Sequence, residues 1–252
     1  MKIAVVTGAS SGLGKEFVKQ ISEKYKTIDE IWVLARRVER LVQLSEEINN
    51  IKIRPIGCDI TNSSELLVYR NMLREYNPSI RILVNAAGYG KIGHFDEIPE
   101  TESVGMCDLN CAALTRMTMI SLPYMQKGKA NIINIASAAA FMPQPSFAVY
   151  AASKSYVLSF SVALARELKN RGIAVTAVCP GPVATEFFDV AETYHKSAFY
   201  KKLLRAKPER VVALALRHAY HGKNVSVYGI TMKMFHVISK LLPHSFMVKF
   251  LK

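Results

Sequence analysis

A glycine-rich turn comes directly after the first apolar run of this chain. Ile3-Ala4-Val5-Val6 leads into Thr7-Gly8-Ala9-Ser10-Ser11-Gly12-Leu13-Gly14, and a helical pattern follows. A turn this tight needs residues without a Cβ. Glycine adopts backbone dihedrals that other residues resist, and it lets N–H groups come close to a bound anion. The N-terminus of the next helix adds its positive end at the same place. Strand, glycine turn and helix in this order predict a β–α unit that holds a pyrophosphate. Gly8, Ser10, Ser11, Gly12, Leu13 and Gly14 are its candidate contacts.

The rest of the chain repeats that alternation. Strands are expected at Ile3–Val6, Glu30–Leu34, Lys52–Ile56, Arg81–Val84, Asn131–Ile135, Ile173–Val178 and Val225–Tyr228. Helices are expected at Gly14–Tyr25, Arg40–Asn49, Ser63–Glu75, Thr101–Gln126, Val149–Lys169 and Pro208–Tyr220. Several strands are short, continuous and rich in Ile and Val, as strands covered on both faces are. The expected fold class is α/β: a single-domain, Rossmann-like, doubly wound, mostly parallel seven-stranded sheet with helices on both faces. The 252 residues suit one such domain, 1–252, and half of them are apolar. No signal peptide is evident, and no run of about 18 uncharged apolar residues predicts a membrane span.

The end of the second strand selects the cofactor. Dinucleotide sites that prefer NAD place an acidic residue there for the ribose 2′-hydroxyl. This chain has Leu34-Ala35-Arg36-Arg37. The planar fork of Arg36 can pair with a 2′-phosphate, so NADP(H) is expected. Further along, Tyr150-Ala151-Ala152-Ser153-Lys154 puts a phenol and an amine on one helical face. An ammonium nearby is expected to lower the phenol's pKa and make it a general acid or base near neutral pH.

Taken with their neighbours, these residues resemble the short-chain dehydrogenase/reductase family over nearly the whole chain. The resemblance is carried by Thr7–Gly14, Cys58-Asp59-Ile60, Asn85-Ala86-Ala87-Gly88, Leu109-Asn110, Asn134-Ile135-Ala136-Ser137, Tyr150–Lys154 and Pro180-Gly181-Pro182-Val183-Ala184-Thr185. It implies an oxidoreductase that interconverts a ketone or aldehyde and an alcohol. Asn110, Ser137, Tyr150 and Lys154 fall at the intervals of that family's catalytic tetrad. By the resemblance, Tyr150 exchanges the proton and Ser137 hydrogen-bonds the substrate oxygen. Lys154 holds the nicotinamide ribose and lowers the Tyr150 pKa, and Asn110 holds a water that links Lys154 to solvent. Asp59 contacts the adenine, and Ile60 belongs to the same cofactor site. Asn85, Ala86 and Gly88 line the cofactor cleft, Asn85 and Gly88 also supporting the central strands, while Thr185 binds the nicotinamide carboxamide and Pro180, Gly181 and Val183 add to the cofactor site. A homodimer or homotetramer through the long helices Thr101–Gln126 and Val149–Lys169 is also implied. Ala86 stands where the family usually has a second asparagine.

Two segments fall outside the alternation. Pro182–Lys207 sits where the family places its substrate lid. Its Phe187, Phe188, Tyr194, Phe199 and Tyr200, with Phe141, Met142 and Phe147, point to an apolar substrate. Gly229–Lys252 is an apolar, basic tail that Pro243 should split into two short helices. It can pack on its own domain, on a partner subunit or on a membrane surface. The net charge is +13 with scattered basic residues, and no nucleic-acid module is recognisable, so no nucleic-acid partner is expected. Cys58, Cys107, Cys111 and Cys179 have no metal spacing and read as small buried residues in a reduced cytoplasm. No metal is expected. A non-catalytic NADP-binding sensor or scaffold is the competing function, and the intact tetrad argues against it.

Overall fold

The computed structural model describes residues 1–125, 130–196 and 205–249. Seven parallel strands form one sheet in the order β3-β2-β1-β4-β5-β6-β7. They are β1 Lys2–Thr7, β2 Glu30–Ala35, β3 Lys52–Gly57, β4 Ser79–Asn85, β5 Ala130–Ile135, β6 Ile173–Val178 and β7 Val225–Ser226. Alternation within a strand supplies both faces with apolar side chains. Ile3 and Val5 of β1 join Trp32, Leu34 and Leu83 on one face. Ala4 and Val6 join Ile31, Val33 and Val84 on the other.

Helices α1 (Gly12–Lys24), α2 (Val38–Glu47) and α3 (Leu66–Tyr76) follow the first three strands. The expected start of α3 at Ser63 is corrected to Leu66. Asn62 Oδ1 accepts from the Ser64 N–H at 2.9 Å, so the chain closes a local turn before the helix begins. The long helix expected at Thr101–Gln126 is segmented. It runs as α4 (Glu100–Cys107), a π-helical stretch Asp108–Ala113, and α5 (Leu114–Ser121), and ends in a 3₁₀ turn at Leu122-Pro123-Tyr124. Gln126 lies outside the described residues. The expected final strand is also shorter, because its partner β6 ends at Val178, the residue paired with Ser226.

Helix α6 (Ala148–Glu167) is long and apolar enough to cross a membrane by length and composition. It buries Val157, Ser161 and Leu164 and packs on β5 and β6. Helices α7 (Phe187–Ala191) and α8 (Pro208–Tyr220) follow β6. Beyond β7 lie α9 (Ile230–Leu241) and α10 (His244–Val248), separated at Pro243 as its ring predicts.

The strand order reverses between β1 and β4, and that switch point is pinned by one hydroxyl. Thr7 Oγ1 accepts from the N–H groups of Ala86 and Ala87 at 3.1 and 3.2 Å. The crevice outside such a reversal is where open α/β sheets bind ligands.

Candidate active site

A cleft of about 1190 Å³ opens at the carboxyl ends of the strands. The glycine turn forms one wall. Gly8 has φ +66°, a left-handed conformation. A Cβ on Gly14 would stand 2.2 Å from the Gly8 carbonyl oxygen, so only glycine closes the turn. Such a backbone cradle followed directly by α1 suits a pyrophosphate.

Most expected contacts line this cleft: Gly8, Ser10, Ser11, Gly12, Leu13 and Gly14 with Arg36, Asp59, Ile60, Ala86 and Gly88. So do Ser137, Tyr150, Lys154, Pro180, Gly181, Val183 and Thr185. Asn85 and Asn110 are the exceptions. The Asn85 amide donates to Asn134 Oδ1 at 2.8 Å and to Thr118 Oγ1 at 3.1 Å. Only 2% of Asn85 is exposed, so it braces β4 against β5 and α5 beneath the cleft, the strand support implied for it, and does not line the cleft.

Arg36 is three-quarters exposed, with Nη1 3.8 Å from Asp59 Oδ2. The Asp59 carboxylate also accepts from the Thr61 N–H and hydroxyl at 2.9 and 2.7 Å. Arg37, which the sequence reading passed over, reaches the glycine turn itself. Its Nη2 donates to Ser11 Oγ at 2.9 Å and to Ser10 Oγ at 3.1 Å. Arg37 and Arg40 both pair with Glu186, at 3.1 and 2.8 Å. The Arg36-Arg37 doublet held the signal, but which arginine touches the turn depends on how the chain leaves β2.

Tyr150 is buried at the floor of the cleft, one turn of α6 before Lys154. Its ring stacks on Phe147 at 4.2 Å between centroids and lies 5.4 Å from Phe187. The relation expected between phenol and amine is corrected by the geometry. Lys154 Nζ donates to the Ile135 carbonyl at 2.8 Å and sits 5.6 Å from the centre of the Tyr150 ring. Burial pushes the Tyr150 phenol above its ordinary value, with the Ser137 hydroxyl opposing. Burial lowers Lys154 to about 8. Ser137 caps the short turn Ala138–Phe141, its Oγ accepting from the Ala139 N–H at 3.1 Å.

Asn110 is fully buried in the π-helical stretch. Its Oδ1 accepts from the Tyr89 N–H at 3.1 Å. Its Nδ2 donates to the Tyr89 carbonyl and to Ser153 Oγ, both at 2.9 Å. With both amide ends engaged, its side chain braces the loop after β4 against α6.

The opposite wall comes from the lid and the tail. Lys91, buried in the loop after β4, pairs with Glu102 at 3.2 Å and donates to Thr193 at 2.9 Å, which ties the lid down. Phe187 and Phe188 both line the cleft, and Phe188 lies beneath the Arg205 guanidinium at 4.4 Å. Phe199 and Tyr200 lie outside the described residues. Met232 and Phe235 of α9 also line the cleft, and a Cβ on Gly181 would stand 2.9 Å from Met232. The sequence left the tail's covering open, so these contacts were missed. Cys58 and Cys179 are buried as expected, but Cys107 is exposed. Among the described residues no His, Cys, Asp and Glu cluster could hold a metal.

Comparison with known proteins agrees with this geometry. The short chain dehydrogenase family model matches residues 2–195. Very-long-chain 3-oxoacyl-CoA reductase of Anas platyrhynchos is 30% identical over 236 residues, 87% of this chain and 73% of that one. A short-chain dehydrogenase of Sphingobium yanoikuyae, solved with NADPH, superposes with a TM-score of 0.81 at 24% identity, covering 100% of this chain and 97% of that one. A Burkholderia phymatum short chain dehydrogenase/reductase solved with NAD gives 0.80 at 20% identity, covering 100% and 95%. The chain is an oxidoreductase of the short-chain dehydrogenase/reductase family.

Proposed function

We propose that the protein uses NADP(H) to interconvert an apolar ketone or aldehyde and its alcohol, with Tyr150 as the general acid and base. The observation that carries this is the Tyr150 phenol. It is buried and held un-ionised at the floor of the cleft, with Ser137 beside it and Lys154 one helical turn away. An un-ionised phenol can donate a proton to a carbonyl oxygen as charge builds there. The Ser137 hydroxyl donates a second hydrogen bond to that oxygen. A reduced dinucleotide, when bound, supplies the hydride.

The residues suit that cofactor. The glycine turn leaves room for a pyrophosphate and excludes a Cβ. Lys154 would hold the nicotinamide ribose, and Thr185 the carboxamide. Arg36 and Arg37 stand at the adenosine end without a carboxylate at the tip of β2, which favours a 2′-phosphate. Phe147, Phe187, Met232 and Phe235 make the substrate end apolar. The long-chain acyl substrate in the name of the Anas platyrhynchos relative is consistent with such a wall. Exposed Val104, Met119, Tyr156 and Val162 on α4, α5 and α6 support self-association as a homodimer or homotetramer.

The test is a titration of the purified protein with NADPH and NADH, then reduced-nicotinamide absorbance against a panel of ketones and aldehydes of rising chain length. Tighter binding of NADPH, with turnover that improves with chain length, is expected. Preference for NADH, or turnover confined to small polar carbonyls, contradicts the cofactor or substrate assignment respectively.

A further inference from the structure

Helix α9 is apolar on two sides, and only one of them is covered by the domain. Met232, Phe235, His236 and Ser239 form the inner side. Phe235 lies 6.1 Å from Phe141 between ring centres, His236 stacks on Phe141 at 4.3 Å, and Ser239 is buried. The outer side repeats at helical spacing: Ile230, Met234, Val237 and Leu241. These are 78%, 58%, 57% and 74% exposed, and Phe246 of α10 continues the stripe at 50%. A contiguous apolar strip like this marks a surface that something else covers.

Charge selects the occupant. By helical position Lys233 and Lys240 lie together along one edge of the strip, and no acidic residue follows Glu209 in the sequence. A second copy meeting this face through a twofold axis would bring the same lysines against each other, since such an interface is self-complementary. An anionic surface with an apolar interior meets both requirements, because lysines at the rim pair with headgroups while the strip enters the acyl boundary.

We propose that the outer face of α9 and α10 docks the protein on an anionic phospholipid bilayer. The helix so docked is also a wall of the cleft, through Met232 and Phe235. Docking therefore sets the substrate end about 10 Å, one helix thickness, from the lipid. The inference concerns attachment and stands apart from the catalytic assignment, because its test reads binding and not turnover.

The experiment sediments the full chain with phosphatidylcholine vesicles and with vesicles that also contain phosphatidylglycerol. Three proteins are compared: wild type, the triple variant Met234→Asp/Val237→Asp/Leu241→Asp, and Lys233→Gln/Lys240→Gln. NADPH affinity and thermal unfolding report whether each variant is folded. Wild type is expected to pellet with the anionic vesicles and weakly with neutral ones. The triple variant should lose pelleting while keeping NADPH affinity, and each lysine removed should weaken partition about fivefold. Wild type that stays in the supernatant at low salt overturns the proposal, as does pelleting unchanged in a folded triple variant. Should the triple variant unfold, the lysine pair decides alone, and unchanged partition overturns the proposal. If light scattering shows a dimer that the triple variant breaks, without vesicle binding in wild type, the face belongs to a second copy and the proposal fails.

Discussion

On the glycine-turn side of the cleft the contacts are backbone, drawn tight enough that a methyl group cannot be added at Gly14. On the lid-and-tail side they are side chains: Phe187 from α7 and Met232 and Phe235 from α9. The difference is in what each wall recognises. A backbone cradle accepts one chemical group in one position, and its precision comes from dihedrals that few residues can adopt. A wall of Met and Phe accepts a range of apolar shapes and is tuned by volume. The proposed cofactor and the proposed apolar substrate divide naturally between the two.

That contrast can be broken most severely at Gly14. Gly14→Ala forces a Cβ against the Gly8 carbonyl, so dinucleotide affinity should fall at least about a hundredfold and stability by about 1–3 kcal/mol. Isothermal titration and thermal unfolding would show both. Near-native binding would mean that the turn is looser than its geometry.

Lys154, at the floor between the walls, gives the next effect. Its pKa near 8 in the fold compares with 10.5 for the free side chain. The unfolded chain therefore binds more protons between those values, and stability should rise with pH across that window as the cost of burying the charge is relieved. The effect is at most about 3 kcal/mol. Lys154→Met never carries that penalty. Its stability relative to wild type should be greatest below pH 8 and shrink toward pH 10.5 in denaturant melts. A pH-independent difference would mean that the amine is not desolvated.

The adenosine end comes next in size. Arg36→Ala should weaken NADPH about 10- to 100-fold and NADH by no more than about twofold, the value of a charge-assisted contact to phosphate. Arg37→Ala should weaken both cofactors, because Arg37 also steadies Ser10 and Ser11 in the turn. Parallel losses in Arg36→Ala would move the 2′-phosphate contact to Arg37. The smallest effect is expected on the side-chain wall. Phe235→Ala should raise KM for long apolar carbonyls a few-fold and leave cofactor affinity unchanged, as steady-state kinetics would show.

The walls also differed in how far they could be read from sequence. The glycine turn, the end of β2 and the Tyr150–Lys154 spacing are local, and local spacing fixes geometry when strand and helix periods are known. So the α/β alternation and the sheet were legible, and most of the residues expected at the cleft do line it. What failed depended on neighbours distant in sequence. Asn85 points into the sheet because Asn134 and Thr118 lie opposite it. The Lys154 amine turns to the Ile135 carbonyl, and burial then sets the Tyr150 pKa. The tail's periodicity showed an apolar helix, but periodicity cannot say that one face of α9 closes the cleft while the other is left open.

The most direct measurement is turnover of Tyr150→Phe beside its NADPH affinity, with a long-chain ketone as substrate. Phenylalanine keeps the ring that stacks on Phe147 and removes only the hydroxyl. Turnover should fall by about 10²- to 10⁴-fold with the NADPH dissociation constant nearly unchanged. Turnover close to wild type would contradict the assignment of Tyr150 as the proton donor, and with it the account of this cleft.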